Sequence, residues 1–214
     1  MQQKKDENNS APRKEKSQEG LRKAVRHSPK GKALDIGAGK GRNSLFLAKN
    51  GFDVMAIDKS AERLEELNNA AKKQRLKVFT KITDVRDFNF RPNEYSLIIS
   101  VAAIDFLKKS EIETIIKKIK GSLIPEGIIY ISVFSIKDPL LNKIKELNLK
   151  PIEENTFYLP KKGFYKHFFT KDEIKESFRS FKIIHLEEKR IKDTSHKQPH
   201  FHQIIELVAK KPRT

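Results

Sequence analysis

The chain has 214 residues, which suits one domain of ordinary size with a buried core. It contains no cysteine, so disulfides, thiolate metal sites and cysteine nucleophiles are excluded. The formal net charge is +17, and the lysines are spread along the whole chain, which favours a solvated basic surface over a binding patch. No apolar run approaches the roughly 20 residues of a membrane span, and the N-terminus lacks the apolar segment of a secretory signal. We therefore expect a soluble, cytoplasmic protein without a membrane partner.

The predicted elements begin after a polar segment. Residues 1–20 are charged and without periodicity, so we predict a disordered basic tail there and a single domain over 21–214. A short amphipathic helix is predicted over 21–28, and strands and helices then alternate. The predicted strands are 32–36, 53–58, 76–80, 95–101 and 128–134, and the predicted helices between them are 44–50, 60–74 and 110–123.

Local signals mark where these helices begin and end. The helix starts carry capping patterns at Ser60, at Ser110 with Glu113, and at Thr170 with Glu173. Gly121 is expected to end the helix that starts near Ser110, and residues 125–127 are expected to form a turn. Residues 135–169 read as irregular because three prolines interrupt them.

The order of elements predicts the fold class. Strands that alternate with helices at this spacing imply βαβ units and a parallel sheet. Two last strand patterns, 181–190 and 203–211, are joined by a loop too short for a parallel crossover, so they predict an antiparallel hairpin. The predicted fold is therefore α/β, with a three-layer, Rossmann-like, seven-stranded sheet that is mostly parallel and ends in an antiparallel hairpin.

A glycine turn follows the first strand, in the run D-I-G-A-G-K-G that starts at Asp35. A dinucleotide-binding turn needs a third glycine at position 42, which is Arg42, and the chain has no P-loop sequence. An acid beside the turn would repel a pyrophosphate but would attract a ligand with an ammonium group. The turn therefore indicates a cofactor site that does not hold a pyrophosphate.

Asp35, Gly37, Gly39 and Gly41 match the first motif of the class I S-adenosylmethionine-dependent methyltransferases, and the chain resembles that family. The resemblance implies the class I methyltransferase fold, a methyltransferase domain over 21–214, S-adenosyl-L-methionine as cofactor and S-adenosyl-L-homocysteine as product. It also implies a set of cofactor-binding residues: Asp35, Gly37, Ala38, Gly39, Gly41, Arg42, Asn43, Asp58, Lys59, Asp84, Val85, Ser100 and Val101.

Three acids have distinct roles in that resemblance. Asp35 would face the methionine ammonium, and Asp58, at the end of the second strand, would accept the two ribose hydroxyls. Asp84 would accept from the adenine amino group, with a backbone contact from Val85. Ser100 and the residue after it would lie under the bound cofactor.

A narrower likeness is carried by the Arg-Asn pair after the third glycine, the "YSLIIS" strand and the closing "VAKK". Over residues 32–211 the chain is similar to the tellurite-resistance (TehB-type) methyltransferases and their small-molecule relatives. The likeness implies direct in-line methyl transfer to a small-molecule acceptor, such as a tellurite-like soft anion, a thiol or a metabolite. Methyltransferases of this kind often carry a histidine after the fourth strand, where this chain has Asp105.

A histidine cluster, "HKQPHFH", precedes the last strand. Imidazoles at this spacing can act as general bases, so His200 and then His196 are candidates for the acceptor side. The resemblance to the methyltransferases adds Asp105 as a third candidate. His200 and His202 would share one strand face. We predict no metal site, because no acid stands nearby in a recognised metal-ligand spacing.

Two other functions stay open. The basic charge favours a nucleic-acid methyltransferase, but the chain lacks the Asn/Asp-Pro-Pro-aromatic motif and the cysteine that base methylation commonly uses. A non-catalytic cofactor-binding protein on the same fold is the second. A dehydrogenase is disfavoured by Arg42.

Overall fold

The computed structural model describes residues 19–193 and 199–213. The strands are β1 (Lys32–Ile36), β2 (Asp53–Asp58), β3 (Val78–Ile82), β4 (Tyr95–Val101), β5 (Leu123–Phe134), β6 (Thr156–Leu159), β7 (Phe164–His167), β8 (Lys182–Asp193) and β9 (His200–Lys210). The helices are α1 (Glu19–His27), α2 (Arg42–Lys49), α3 (Ala61–Lys73), α4 (Lys109–Ser122), α5 (Pro139–Glu146) and α6 (Lys171–Ser177), with a 3-10 turn at Ile104–Phe106.

Seven strands form one sheet in the order β3-β2-β1-β4-β5-β9-β8. Strands β1 to β5 pair in parallel, whereas β9 is antiparallel to both β5 and β8. The predicted fold class is therefore confirmed, including the C-terminal hairpin. Because β2 and β4 lie on opposite sides of β1, the chain changes direction across the sheet after β3. Open α/β sheets bind ligands at such a switch point, beyond the carboxyl ends of the strands.

Helices cover both faces of the sheet. On one face α1, α2 and α3 pack through buried residues such as Leu21, Leu47 and Leu64. On the other face α4 and α6 pack through Ile115 and Ile174, among others. Burial of apolar area on both faces explains why the parallel strands read as unbroken apolar runs.

Most predicted boundaries agree with the structure. Strands β1, β2 and β4 begin and end where the apolar runs do, while β3 starts two residues later than predicted, at Val78. The Ser60 hydroxyl accepts the Arg63 N–H at 3.4 Å, and the Thr170 hydroxyl accepts the Glu173 N–H at 3.0 Å. The predicted caps of α3 and α6 are therefore confirmed.

The predicted start of α4 is wrong. The helix begins one residue earlier, and Glu111 caps it by accepting the Lys108 N–H at 2.9 Å. Ser110 instead donates its N–H and its hydroxyl to Glu153, because an acid from a later loop lies within reach. Gly121 lies inside the helix, and residues 125–127 are part of β5, where Glu126 takes a left-handed φ of 66°.

Residues 135–169, predicted as irregular, contain α5 and the antiparallel hairpin of β6 and β7. Asp138 caps α5 by accepting the Leu140 N–H at 2.8 Å, and Pro139 takes the first helical position. The segment has its own small core, which includes Leu141, Ile144 and Phe168. It therefore forms an ordered cover next to the carboxyl edge of β5.

The first helix begins slightly earlier than predicted. Helix α1 starts at Glu19, two residues before its predicted start, and residues 1–18 of the predicted tail lie outside the described residues. The division into tail and domain stays a prediction. Within residues 19–193 and 199–213, no helix has both the length and the apolar character that a bilayer crossing needs.

Replacing Gly41 by alanine should destabilise the protein more than replacing Gly51. Both glycines have a left-handed φ, of 82° and 84°, which costs alanine about 1–2 kcal/mol. A Cβ on Gly41 would lie 2.1 Å from Cδ1 of the buried Leu67, whereas one on Gly51 meets nothing within 4 Å. We expect overpacking to add about 1–3 kcal/mol for Gly41→Ala alone, measured by urea unfolding. Equal losses in the two variants would contradict this packing.

Candidate cofactor site

The turn between β1 and α2 lies at the switch point of the sheet and has an unusual backbone. Gly37, Gly39 and Gly41 all adopt a left-handed φ, of 70°, 54° and 82°. A Cβ on Gly37 would lie 2.4 Å from the Cβ of Ala103, so packing excludes a side chain there as it does at Gly41. A Cβ on Gly39 would meet nothing within 4 Å. Gly39 therefore leaves open space on the side of the turn from which a ligand can approach the backbone.

The carboxylate of Asp58 links this turn to the next one. Its Oδ2 accepts the Gly39 N–H at 2.9 Å, and its Oδ1 accepts the Ser60 N–H, also at 2.9 Å. Each oxygen retains a second acceptor site. Asp58 therefore holds both turns in place and keeps acceptor capacity for two further hydroxyl groups, and its predicted contact with the ribose stays a prediction.

The N–H groups of the turn donate within the fold. The N–H groups of Gly37 and Ala38 both donate to the carbonyl of Ile57, at 2.9 and 3.0 Å, and Gly39 donates to Asp58. A pyrophosphate site needs such N–H groups for its ligand. These three N–H groups are therefore engaged within the fold, which disfavours a dinucleotide at the first part of the turn.

Asp35 lies at the base of the turn and is 1% exposed. Its Oδ2 accepts the hydroxyl proton of Ser44, in the first turn of α2, at 2.6 Å. Burial raises the pKa of Asp35 from 3.8 to about 6, and the charge of Asp58 adds to this effect, while the Ser44 hydrogen bond opposes it. A buried carboxylate of this kind favours a cationic ligand group such as an ammonium.

Asp84 follows β3 and is held by its neighbour Arg86. The guanidinium donates to both carboxylate oxygens, at 2.9 and 2.8 Å, and also to Glu111 at 2.9 Å. These bonds lower the pKa of Asp84 and keep it ionised. The structure therefore brings Asp84 to the same edge of the sheet, and its predicted contact with adenine stays a prediction.

The other predicted cofactor residues lie around this edge. Ser100, near the end of β4, is fully buried, and its hydroxyl has no hydrogen-bond partner among the described residues. Half-buried residues of the set are Ala38, Asn43, Val85 and Val101, and exposed ones are Arg42 and Lys59. The predicted place of Ser100 under the bound cofactor stays a prediction.

Asp105, predicted on the acceptor side, is fully buried in the 3-10 turn after β4. It accepts from the ammonium of Lys166, in β7, at 2.5 Å. The ammonium also lies 3.4 Å from the ring centre of Phe134 and 4.2 Å from that of Phe106. Burial lowers the pKa of Lys166, while Asp105 opposes that shift. The acceptor role of Asp105 stays a prediction. The buried ion pair joins the 3-10 turn after β4 to the β6–β7 hairpin.

His200 and His202 share one face of β9, as predicted, and their Nε2 atoms are 2.9 Å apart. The Nδ1 of His202 lies 3.0 Å from the buried carboxylate of Asp138. His196 falls outside the described residues. The predicted acceptor-side roles of these histidines stay predictions.

Four residues of this region are not predicted from the sequence: Ser44, Arg86, Asp138 and Lys166. The pair Asp138-Pro139 carried an available signal, since an acid before proline is a common helix start. Lys166 carried none, because its partner Asp105 is 61 positions away in the chain. Ser44 and Arg86 act on predicted carboxylates, which a sequence pattern alone does not reveal.

The chain is similar to proteins of one family. The family model "Tellurite resistance protein TehB" matches residues 5–139. The "Probable S-adenosyl-L-methionine-dependent methyltransferase TehB" of Haemophilus influenzae is 36% identical over 89 residues, which cover 42% of this chain and 31% of the relative. The matched part is thus about a third of the length of that curated relative.

Solved structures show the same fold. The crystal structure of TehB from Haemophilus influenzae has a TM-score of 0.71 at 24% identity, covering 96% of this chain and 64% of that one. A S-adenosylmethionine-dependent methyltransferase from Methanosarcina mazei has a TM-score of 0.74 at 23% identity, covering 91% of this chain and 97% of that one. At these identities the likeness establishes the fold.

Replacing either Asp105 or Lys166 alone should lower the free energy of unfolding. Lys166→Met leaves a buried carboxylate unpaired, so we expect a loss of about 3–5 kcal/mol in the free energy of unfolding. The double variant with Asp105→Leu should lose much less than the sum of the single losses, as a urea double-mutant cycle would show. Lys32→Met is the control, because its ion pair with Glu94 is exposed and should contribute less than about 1 kcal/mol. Additive losses at Asp105 and Lys166 would contradict the coupling.

Proposed function

The chain belongs to the TehB family of tellurite resistance proteins, and from that premise we propose that it is an S-adenosyl-L-methionine-dependent methyltransferase for a small molecule or soft anion. One observation carries the proposal. Two carboxylates, Asp35 and Asp58, flank a left-handed glycine turn whose N–H groups donate within the fold. Such a site suits a ligand with a cationic amino group and vicinal hydroxyls, and it repels phosphates.

The residues of the site fit the cofactor part by part. Asp35 would accept from the methionine ammonium, and that charge would relieve the cost of ionising a buried carboxylate. Asp58 would accept the ribose hydroxyls through the lone pairs that its two backbone bonds leave available. We infer that the cofactor approaches the protein at two places. These are the buried hydroxyl of Ser100 and the open side of Gly39.

The chemistry needs little from the protein beyond placement. When bound, the cofactor supplies a sulfonium methyl group with a good leaving group. The protein has to align the acceptor in line with that methyl and to exclude water, and alignment of this kind can contribute about 7–11 kcal/mol in the best cases. We infer that α5 and the β6–β7 hairpin provide the exclusion, since they cover the edge of the sheet beside β5. A general base is needed only for a protonated acceptor, and His200 is our candidate for it.

We propose a tellurite-like soft anion, a thiol or a small metabolite as the acceptor, with S-adenosyl-L-homocysteine as the second product. The family's description and the net charge of +17 support an anionic acceptor. The same charge favours RNA as the alternative acceptor. An RNA complex whose affinity falls steeply with salt, together with methyl transfer to that RNA, would support the alternative.

Calorimetric titration tests the proposal directly. We expect S-adenosylmethionine to bind the purified protein with micromolar affinity and NAD not to bind. Asp58→Asn should weaken the complex at least about 10-fold, because charge-assisted bonds contribute roughly 1.5–3 kcal/mol each. Asp53→Asn, on the same strand but exposed beside Lys77, is the matched control and should bind normally.

The calorimetric results can contradict the proposed cofactor site or the proposed activity. Binding that survives Asp58→Asn would remove Asp58 from the site. Absence of binding in the native protein would leave the turn as a structural feature and would favour an interaction protein on this fold. Binding without methyl transfer to tellurite, thiols or RNA would favour the non-catalytic alternative.

Ionisation of Asp35 should lower the stability of the ligand-free protein and raise its affinity for the cofactor. Its pKa in the fold, about 6, exceeds the ordinary 3.8, so ionisation opposes folding. The stability of the ligand-free protein should fall as pH rises from 4 through 6, by about 3 kcal/mol in total from this group. We therefore expect Asp35→Asn to be more stable than the native chain at pH 7 and nearly equal to it at pH 4.

Cofactor affinity should follow the same group. In the native protein the affinity should fall as pH drops below about 6, because protonated Asp35 no longer attracts an ammonium. In Asp35→Asn it should be weak and independent of pH in this range. Thermal unfolding and calorimetry at several pH values measure both effects. A variant that is less stable at pH 7 would contradict the raised pKa.

A further inference from the structure

Three potential metal ligands meet at the end of the β8–β9 hairpin. They are Oδ2 of Asp193, Nε2 of His200 and Nε2 of His202. The two imidazole nitrogens are 2.9 Å apart, and the carboxylate oxygen lies 3.9 Å from His200 and 3.8 Å from His202. The point equidistant from all three atoms lies about 2.1 Å from each, within the roughly 2.0–2.2 Å of zinc bonds to histidine and carboxylate.

We propose that Asp193, His200 and His202 bind a divalent transition-metal ion of the zinc class. Two imidazoles and one carboxylate form a borderline-soft ligand set, which suits zinc better than calcium or magnesium. Three protein ligands are also the number in catalytic zinc sites, where water or substrate takes a further position. Tetrahedral geometry needs ligand atoms about 3.3 Å apart, so small side-chain adjustments would complete it.

The strand register brings these residues to one side of the hairpin. Asp193 lies directly opposite His200 in the antiparallel pair, and His202 is two residues along β9. Residues in those positions project from the same face. The backbone therefore positions the three ligands before any metal arrives, which lowers the entropic cost of binding.

Asp138 provides the support that a metal-binding histidine usually has. Its buried Oδ2 lies 3.0 Å from Nδ1 of His202 and also accepts the Gln203 N–H at 2.7 Å. A carboxylate that is fixed in this way favours the tautomer with the proton on Nδ1, so Nε2 keeps its lone pair for a metal. The ring of His202 is further held by an edge contact with Phe134, at 4.6 Å between ring centres.

A second group of potential ligands lacks these features. It consists of His185, Glu187 and Glu206. The ammonium of Lys189 lies 2.6 Å from Oε2 of Glu206, so this carboxylate already has a cationic partner. A metal ion there would be repelled by Lys189. The ammonium of Lys189 therefore disfavours a metal ion at the second group.

Metal titration of the full chain tests the proposal. The tag-free protein, treated with chelator, is titrated with Zn²⁺ by calorimetry and with Co²⁺ by visible absorption. We expect one equivalent to bind, with Co²⁺ bands of tetrahedral intensity. His200→Asn, His202→Asn and Asp193→Asn should each weaken Zn²⁺ binding at least about 10-fold, as losses at metal sites commonly do. His27→Asn, an exposed histidine on α1, is the control and should bind Zn²⁺ as the native chain does.

The outcomes separate this site from the proposed cofactor site. Asp193→Asn and His202→Asn should retain the far-UV circular dichroism of the native chain and its affinity for S-adenosylmethionine, because neither residue belongs to the proposed cofactor-binding set. Lack of stoichiometric Zn²⁺ binding by the native protein would overturn the proposal, as would Zn²⁺ affinity that is unchanged in all three variants. The Co²⁺ spectrum of the native protein decides the geometry even if a variant misfolds.

Discussion

The left-handed backbone of the turn after β1 is the constraint on which the carboxyl edge of the sheet depends. Gly37 and Gly41 press so closely against Ala103 and Leu67 that a side chain has no room. This packing fixes the turn, and the turn brings the Gly39 N–H to Asp58, which in turn holds Ser60 and the start of α3. One carboxylate therefore aligns the first two βα units. The glycines allow the chain to pass this close to its neighbours at the carboxyl edge of the sheet.

The same edge contains groups that do not favour folding. Asp35 is buried with an elevated pKa, and Ser100 has a buried hydroxyl without a partner among the described residues. Each costs stability when the site holds no ligand. The simplest physical reason to retain them is a ligand that supplies the missing partners. This cost to stability supports the proposal that the carboxyl edge near Asp35 and Ser100 binds a ligand.

Residues next to a strong local pattern could be predicted from the sequence. Asp35 lies within the first apolar run and Asp58 ends the second, and the structure places them in β1 and at the end of β2 as predicted. Interactions between distant segments could not be predicted. Lys166 is one of many lysines, and only the folded hairpin brings it to Asp105. Glu111 rather than Glu113 caps α4, because Glu153 captures Ser110 from a later loop. The pair Asp138-Pro139 favours a helix start, but the three prolines within residues 135–169 also favour an irregular segment.

The histidine cluster shows why spacing alone is a poor guide to a metal site. A search for an acid near His200 along the chain finds no recognised motif, yet Asp193 faces His200 directly across the hairpin. An antiparallel register brings together residues that have no fixed separation in sequence. Strand β9 lies two strands from β4 and three from β1. At about 4.8 Å per strand, β9 runs roughly 10 Å from β4 and roughly 14 Å from β1 across the sheet. Asp138, which caps α5, contacts His202 and so joins the covering segment to this end of the hairpin.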